Sequence, residues 1–163
     1  MKADTERGGR AWLWAPVVFA ALGVFVSIYL STKRLTGGSL ACTRWAECDT
    51  VNNSVYAKIY GVPVAFIGLA GYLVLLGLAL AALETEGNTQ RRLLGLGFVL
   101  ALGGVGFSAY LTYIELYVLE AICVWCVISA VLITLLAIAG GINLWRTSPQ
   151  RLRTSPSSLS VRP

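Results

Sequence analysis

Four long stretches without any charged residue constrain this chain more than any other feature of its sequence. Each has at least 22 residues, more than the roughly 20 that an apolar α-helix needs to cross the hydrocarbon core of a bilayer. They fill more than half of the 163-residue chain, of which only 13% is charged. The sequence therefore predicts four transmembrane helices and leaves no room for a separate soluble domain. The uncharged stretches are residues 11–32, 59–83, 93–114 and 121–145.

The predicted fold is an all-α integral membrane protein, a four-helix bundle formed by residues 1–147. Residues 32–60 make a long outer first loop, in which the mixed apolar and polar residues 45–61 favour a short helix lying along the membrane surface. The turn Glu115–Glu120 is placed at the outer boundary, and the proline-containing segment 148–163 is predicted to be a disordered cytoplasmic tail. The predicted helices span about residues 12–31, 62–83, 93–114 and 121–143.

Basic residues predict the orientation of the bundle, because Lys and Arg near transmembrane helices stay predominantly in the cytoplasm. Nine of them lie in the two tails and in the loop between helices two and three, whereas four lie in the first loop. Both termini are therefore predicted to be cytoplasmic. This asymmetry explains the net charge of +5, so no nucleic-acid partner is predicted. The nine residues are Lys2, Arg7, Arg10, Arg91, Arg92, Arg146, Arg151, Arg153 and Arg162.

The four cysteines are the candidate functional residues, and all of them are predicted to lie at the outer face. Cys42 and Cys48 are in the first loop, and Cys123 and Cys126 are in the first turns of the fourth helix. Disulfide chemistry persists on this oxidising side of a membrane. The chain contains no histidine, which excludes a cysteine nucleophile activated by histidine and haem ligation by histidine.

Three uses of these cysteines are open. A structural zinc ion would need all four, with one ligand pair at membrane depth. A Cys42–Cys48 disulfide would staple the loop of a non-enzymatic membrane scaffold, but a C-x-x-C disulfide closes almost no loop and stabilises little. A redox relay uses both pairs: the helix dipole favours the thiolate of Cys123, whereas burial in apolar surroundings opposes it, so the sequence leaves the sign of the pKa shift of Cys123 open. Cys126, deeper in the membrane, can meet a lipid-soluble quinone. Thiol–disulfide exchange supplies each hop between sulfurs.

Two segments carry a resemblance to a known family. Residues 48–68 read CDTVNNSVYAKIYGVPVAFIG, and residues 123–126 read CVWC. A loop cysteine pair, a serine six residues on and a C-x-x-C that heads the fourth helix together resemble bacterial members of the vitamin K epoxide reductase family, over about residues 12–143. The resemblance implies a quinone-dependent thiol–disulfide oxidoreductase of the bacterial cytoplasmic membrane, working without a metal or a flavin.

The same resemblance implies a role for five residues. Cys126 faces the quinone, and Cys123 completes the active-site disulfide with it. Cys48 attacks Cys123 during electron transfer, and Cys42 exchanges with the partner protein. Ser54 stands near the active site, where its hydroxyl can donate a hydrogen bond, although a simple loop cap is the alternative use.

Two departures from the vertebrate members favour plain quinone reduction over reduction of vitamin K or its epoxide, which is the alternative. Ala130 stands where those enzymes carry a tyrosine, and residues 62–83 contain no asparagine. The thioredoxin-like domain of some bacterial members is missing, so the implied partner is a thioredoxin-like periplasmic protein acting in trans. The other implied partners are membrane lipid and a membrane quinone, either ubiquinone or menaquinone. The expected result is disulfide formation in exported proteins.

Overall fold

Four long α-helices make up most of the structure, a computed structural model that describes residues 2–37 and 48–147. Each of the four is long and apolar enough to cross a membrane, which confirms the predicted four-helix membrane bundle. Cys42 and the predicted tail, residues 148–163, lie outside the described residues. The helices are α1, Lys2–Thr36; the short α2, Cys48–Asn53; α3, Val64–Glu84; α4, Gly87–Tyr117; and α5, Val124–Arg146.

The long helices form a ring in which each packs against two neighbours, in the order α1, α3, α4 and α5. Buried residues from all four helices, including Ala20, Tyr72, Ala101 and Ile133, fill the centre of this ring. Large apolar side chains on the outside, such as Phe25, stay exposed. In a bilayer this outer surface contacts lipid tails, which are as apolar as the side chains themselves.

Several helix ends lie beyond their predicted positions, because the predictions stopped at charged residues. Helix α1 has 35 residues where the sequence predicts 12–31, and α4 has 31 residues where it predicts 93–114. Only Thr85 and Glu86 separate α3 from α4. The predictions were wrong here because a helix does not end where the hydrocarbon core ends. Its polar residues continue into the headgroup region, where long basic side chains reach water.

The connection from α2 to α3 is a 3₁₀ turn, Val55–Ala57, followed by a small β-hairpin. Strand β1, Lys58–Ile59, pairs antiparallel with strand β2, Val62–Pro63. Tyr60 and Gly61 between them have positive φ angles of 50° and 84°, as in the two-residue turns whose twist matches that of hairpin strands. The predicted short helix is thus confirmed as α2, but it is much shorter than residues 45–61, because the hairpin takes the end of that segment.

The ring of Tyr72 in α3 lies directly against Gly23 of α1. A Cβ atom added at Gly23 would overlap carbon atoms of the ring, so the position accommodates glycine only. The Tyr72 hydroxyl donates a hydrogen bond to the backbone oxygen of Ser129 in α5, 2.9 Å away. One side chain therefore connects three of the four long helices.

We expect Gly23→Ala to destabilise the bundle by about 1–3 kcal/mol, because the added methyl group must displace the Tyr72 ring. Gly77→Ala is the matched control, since nothing lies within 4 Å of a Cβ atom at Gly77 and a helix favours alanine over glycine. Thermal unfolding in detergent compares the two variants with the wild type. An unchanged melting temperature for Gly23→Ala would show that this contact contributes nothing to stability.

Candidate active site

A cavity of about 590 Å³ extends into the bundle from the end where α4 finishes and α5 begins. Its walls come from all four long helices and from the segment that contains Ser54, and most of them are apolar. This volume is typical of small-molecule sites. The polar or titratable side chains in the walls are Ser27, Ser54, Tyr56, Tyr72, Ser108, Thr112, Glu115, Cys123, Cys126 and Ser129.

The C-x-x-C pair stands at the beginning of α5, at the wall of this cavity. Cys123 has an extended backbone and precedes the first helical residue, Val124, so the helix starts a few residues after the predicted residue 121. The N–H of Val127 donates to the carbonyl oxygen of Cys123, 3.1 Å away. Cys123 is 1% exposed, whereas Cys126, in the first turn, is half-buried. Both are free thiols.

A hydrogen bond between the two thiols lowers the pKa of Cys123 below its ordinary value. Backbone N–H groups at the start of α5 act in the same direction, whereas burial and the nearby Glu115 carboxylate oppose them. A lower pKa increases the thiolate fraction, and the thiolate is the species that attacks disulfides. Cys123 is therefore prepared for thiol–disulfide exchange.

The short helix α2 brings Cys48 to the same place. Cys48 is 1% exposed and belongs to the buried cluster that contains Cys123 and Val51, with Cys126 packed against it. Cys48 is disulfide-bonded, and its partner is neither Cys123 nor Cys126, which are both free. Of the four cysteines predicted from the sequence, the structure brings these three together, and Cys42 lies outside the described residues.

Ser54 both caps a local turn and lies in the cavity wall, the two uses that the sequence suggested for it. Its hydroxyl donates to the carbonyl oxygen of Val51, 2.8 Å away, and its Oγ accepts the N–H of Ala57 at 3.2 Å. These are the bonds of a local cap, which holds the turn between α2 and β1. The same side chain lines the cavity that Cys123 and Cys126 line.

Glu115 is a buried acidic residue of the site that the sequence prediction placed at the outer boundary. It belongs to α4 and is 4% exposed. Its Oε2 accepts the backbone N–H of Cys123 at 3.2 Å, and the Cys126 thiol is close enough to interact electrostatically with the same carboxylate. The turn predicted for residues 115–120 was wrong at Glu115, because α4 continues past its apolar stretch to Tyr117. An ionisable residue beside a membrane helix and close to C-x-x-C was the signal that could have identified it.

Tyr72 and Ser129 form a second polar pair that the sequence analysis did not single out. Their hydroxyl oxygens are 3.1 Å apart, and both residues line the cavity. A tyrosine in an apolar helix gives no sign of which face it occupies, so the sequence held no usable signal for this pair. Ser129 follows Cys126 by less than one helical turn, which places these hydroxyls on the deeper side of the thiols.

The chemistry of the cavity suits an apolar molecule with a few polar atoms. The described residues contain no group of three or more His, Cys, Asp or Glu side chains that is able to hold a metal ion. The cavity instead offers apolar walls, several hydroxyls, two thiols and one carboxylate. Such a site buries the apolar body of a ligand and orients it through a small number of polar contacts.

We expect Cys126→Ala to raise the pKa of Cys123, because the variant removes the thiol that hydrogen-bonds to it. In the wild type, Cys123 stays ionised at pH values below the ordinary cysteine pKa, so its alkylation slows only when the pH falls through the lowered pKa of Cys123. In the variant, alkylation of Cys123 should already slow at a higher pH. Mass spectrometry would follow modification of Cys123 by N-ethylmaleimide between about pH 6 and 9.

Val127→Ala is the control for this experiment, since Val127 is exposed on the same turn of α5 and the variant keeps both thiols. Superimposable pH profiles for wild type and Cys126→Ala would contradict the thiol–thiol hydrogen bond as the cause of the lowered pKa.

A comparison with protein-family models assigns the chain to a family. A model of the Vitamin K epoxide reductase family matches residues 14–140, which run from α1 into α5 and include all four cysteines. The match confirms the resemblance found in the sequence and agrees with the four membrane-spanning helices. Members of this family carry out thiol and quinone chemistry in membranes. The chain therefore belongs to the vitamin K epoxide reductase family and is a multi-pass membrane oxidoreductase.

Proposed function

We propose that this protein is a membrane thiol–disulfide oxidoreductase that oxidises a thioredoxin-like periplasmic protein and transfers the electrons to a quinone. The observation that carries the proposal is the position of two free thiols, Cys123 and Cys126, at the wall of an apolar cavity inside a membrane bundle. Cys48 is packed beside them. Family membership supports quinone-linked thiol chemistry in general. The physiological result would be disulfide formation in exported proteins.

The first step is a thiol–disulfide exchange at the outer loop. A reduced partner attacks Cys42 of a Cys42–Cys48 disulfide and departs with its own two cysteines joined, so the loop pair gains two electrons. The disulfide-bonded state of Cys48 supports this starting point, since Cys48 must be oxidised before it can accept electrons. The excess of basic residues in the tails supports placing both termini in the bacterial cytoplasm and this loop in the periplasm.

The second step moves the electrons from the loop pair to the C-x-x-C pair. The thiolate of Cys48 attacks Cys123 in a Cys123–Cys126 disulfide and displaces Cys126 as a thiol. Cys42 then attacks Cys48, so the loop disulfide re-forms and Cys123 is released as the second thiol. The packing of Cys48 and Cys123 in one buried cluster supports this order, because the two residues are already neighbours inside the bundle.

The third step is the reduction of the quinone. The two thiols lose two electrons and two protons and form one S–S bond, while the quinone gains both and becomes a quinol. Cys126 is the sulfur that faces the quinone, since it lies further along α5 than Cys123 and is half-buried at the cavity wall. Ser54, on the same wall, is the hydrogen-bond partner proposed for charged or reduced intermediates. Ubiquinone and menaquinone both fit this scheme, which routes no electron through a metal or a flavin.

Reduction of vitamin K or its epoxide is the second candidate, because the same thiols and the same cavity serve it. The polar groups around the cavity favour the simpler quinone. Ala130 supplies no hydroxyl where vertebrate members have one, and the Tyr72 hydroxyl is already engaged by Ser129. An epoxide oxygen would therefore find few free donors on these two helices.

We expect the purified protein in detergent to reduce ubiquinone or menaquinone when a reduced thioredoxin-like protein or dithiothreitol supplies electrons. Cys126→Ala should lower this rate at least about 100-fold, because the quinone-facing sulfur is lost. Quinone absorbance would follow the reaction. Val127→Ala, which keeps all four cysteines, is the control and should retain wild-type turnover. Vitamin K epoxide, offered separately, tests the second candidate.

Equal rates for wild type and Cys126→Ala, or no turnover with any donor and quinone, would refute the quinone mechanism. That outcome would favour a membrane scaffold with a structural disulfide. Turnover of the epoxide at a rate equal to that of the quinone would favour the second candidate.

We expect Cys126→Ser to accumulate a disulfide between Cys48 and Cys123. In this variant Cys123 attacks Cys48 of the loop disulfide and releases Cys42 as a thiol, and no second thiol in α5 is left to resolve the product. N-ethylmaleimide added at quenching blocks Cys42, which would otherwise reverse the exchange. Peptide mapping without reductant would detect the linked pair by mass. The double variant Cys48→Ser, Cys126→Ser is the control and should lack it. A Cys42–Cys123 link in place of the Cys48–Cys123 link would reverse the assigned order of the loop cysteines.

A further inference from the structure

We propose that Glu115 is the proton acceptor for Cys126 in quinone reduction and returns that proton to the quinone. The inference rests on the proposed quinone mechanism and adds to it the path of one proton. It starts from geometry: the carboxylate at the end of α4 is 4% exposed and lines the same cavity as the two thiols. Its Oε2 accepts the Cys123 N–H at 3.2 Å, and the Cys126 thiol is close enough to interact with it electrostatically.

A structural cap alone does not account for a carboxylate at this position. The N–H of Cys123 needs one acceptor oxygen, and glutamine would supply it without a charge to bury. Burying an ionisable carboxyl is costly unless it is paired. Among the described residues, Glu115 pairs with no Lys or Arg; its Oε2 accepts the N–H of Cys123, and the Cys126 thiol is near enough to interact with it electrostatically. The feature that requires an acid is this neighbouring sulfur, which must lose a proton.

The other groups around the cavity serve this purpose poorly. Each helix and the segment after α2 contribute to its walls, and the titratable side chains that they bring are Tyr56, Tyr72, Cys123 and Cys126, besides Glu115. Helix α1 contributes only Ser27 and Leu30. Phenols and hydroxyls hold their protons far more tightly than a carboxylic acid does. Glu115 is the one carboxylate among the described residues of the wall.

The step balances in electrons, protons and charge. It begins with Cys123 as a thiolate, Cys126 as a thiol and an oxidised quinone. The Cys126 proton moves to the Glu115 carboxylate, and the two sulfurs give two electrons to the quinone as their S–S bond forms. Glu115 passes its proton to one quinone oxygen, and the proton that Cys123 released to water when it ionised goes to the other. Counted from the dithiol, the products are one disulfide, one quinol and the original carboxylate.

The test compares Glu115→Gln with the wild type in two assays. Glutamine keeps an oxygen for the Cys123 N–H but cannot take up a proton, so kcat for quinone reduction should fall about 100-fold. Without quinone, the pH profile of Cys123 alkylation by N-ethylmaleimide should shift to lower pH, because the carboxylate charge that opposes its thiolate is gone. More thiolate together with slower turnover is a combination that loss of a structural cap would not produce.

Glu120→Gln is the matched control, since Glu120 is an exposed acid five residues further along the chain. It should leave both the kcat and the alkylation profile unchanged. Glu115→Asp keeps an acid with a shorter reach and should recover part of the lost kcat. If Glu115→Gln does not fold, Glu115→Asp takes its place in both assays, and its kcat should then lie below that of the wild type.

Wild-type kcat in Glu115→Gln, or an unchanged alkylation profile in it, would overturn the assignment and leave Glu115 as a cap of α5. A kcat for Glu115→Asp no higher than that for a folded Glu115→Gln would also count against it. A wild type that reduces no quinone would instead refute the proposed function. The alkylation profile needs no quinone, so it still decides whether the charge of Glu115 acts on the thiol pair.

Discussion

The beginning of α5 is the point on which the rest of the site depends. A bilayer forces every backbone hydrogen bond to be satisfied within the protein, so a reactive group that needs free N–H groups must stand where a helix starts. Cys123 occupies that position: its carbonyl oxygen accepts the first bond of α5, from Val127, and its N–H donates to Glu115. The helix start thus presents N–H groups to a sulfur, favours its thiolate, and receives an acidic side chain from α4 at the same point.

The segment between α2 and α3 closes the site from the other side. Cys48 and Val51 are buried on one face of α2, so this short helix packs into the bundle and carries a cysteine to Cys123. Ser54 holds the following turn through its bonds to Val51 and Ala57. The hairpin then reverses the chain and leads directly into α3. These local contacts shape the segment, and the packing of α2 against the bundle places the Cys48 sulfur beside Cys123.

The sequence predicted the parts of this structure that depend on composition, and missed those that depend on contact. The length of the uncharged stretches alone predicts four transmembrane helices, since the thickness of the bilayer sets the length that a helix needs to cross it. Cysteine spacing alone predicts a pair at the start of α5. Glu115 was misplaced because charge marks the end of an apolar stretch and not the end of a helix. The contact of Tyr72 with Gly23 and Ser129 joins three helices that are distant in the chain, and no local pattern encodes which face of α3 turns inward.

The apolar cavity makes electron transfer and proton transfer inseparable. Two electrons delivered to a quinone create negative charge on its oxygens, and hydrocarbon walls cannot stabilise that charge. The reaction therefore needs a proton source within reach of both the sulfur and the quinone. Tyr72 and Ser129 are bonded to each other, and the Ser54 hydroxyl, although it can donate a hydrogen bond, gives up a proton far less readily than a carboxylic acid does. Glu115 is hydrogen-bonded at the start of the C-x-x-C pair and lines the same cavity as the sulfur that loses a proton. An acid at this helix junction lets a dithiol reduce a quinone without leaving an unpaired charge in the membrane.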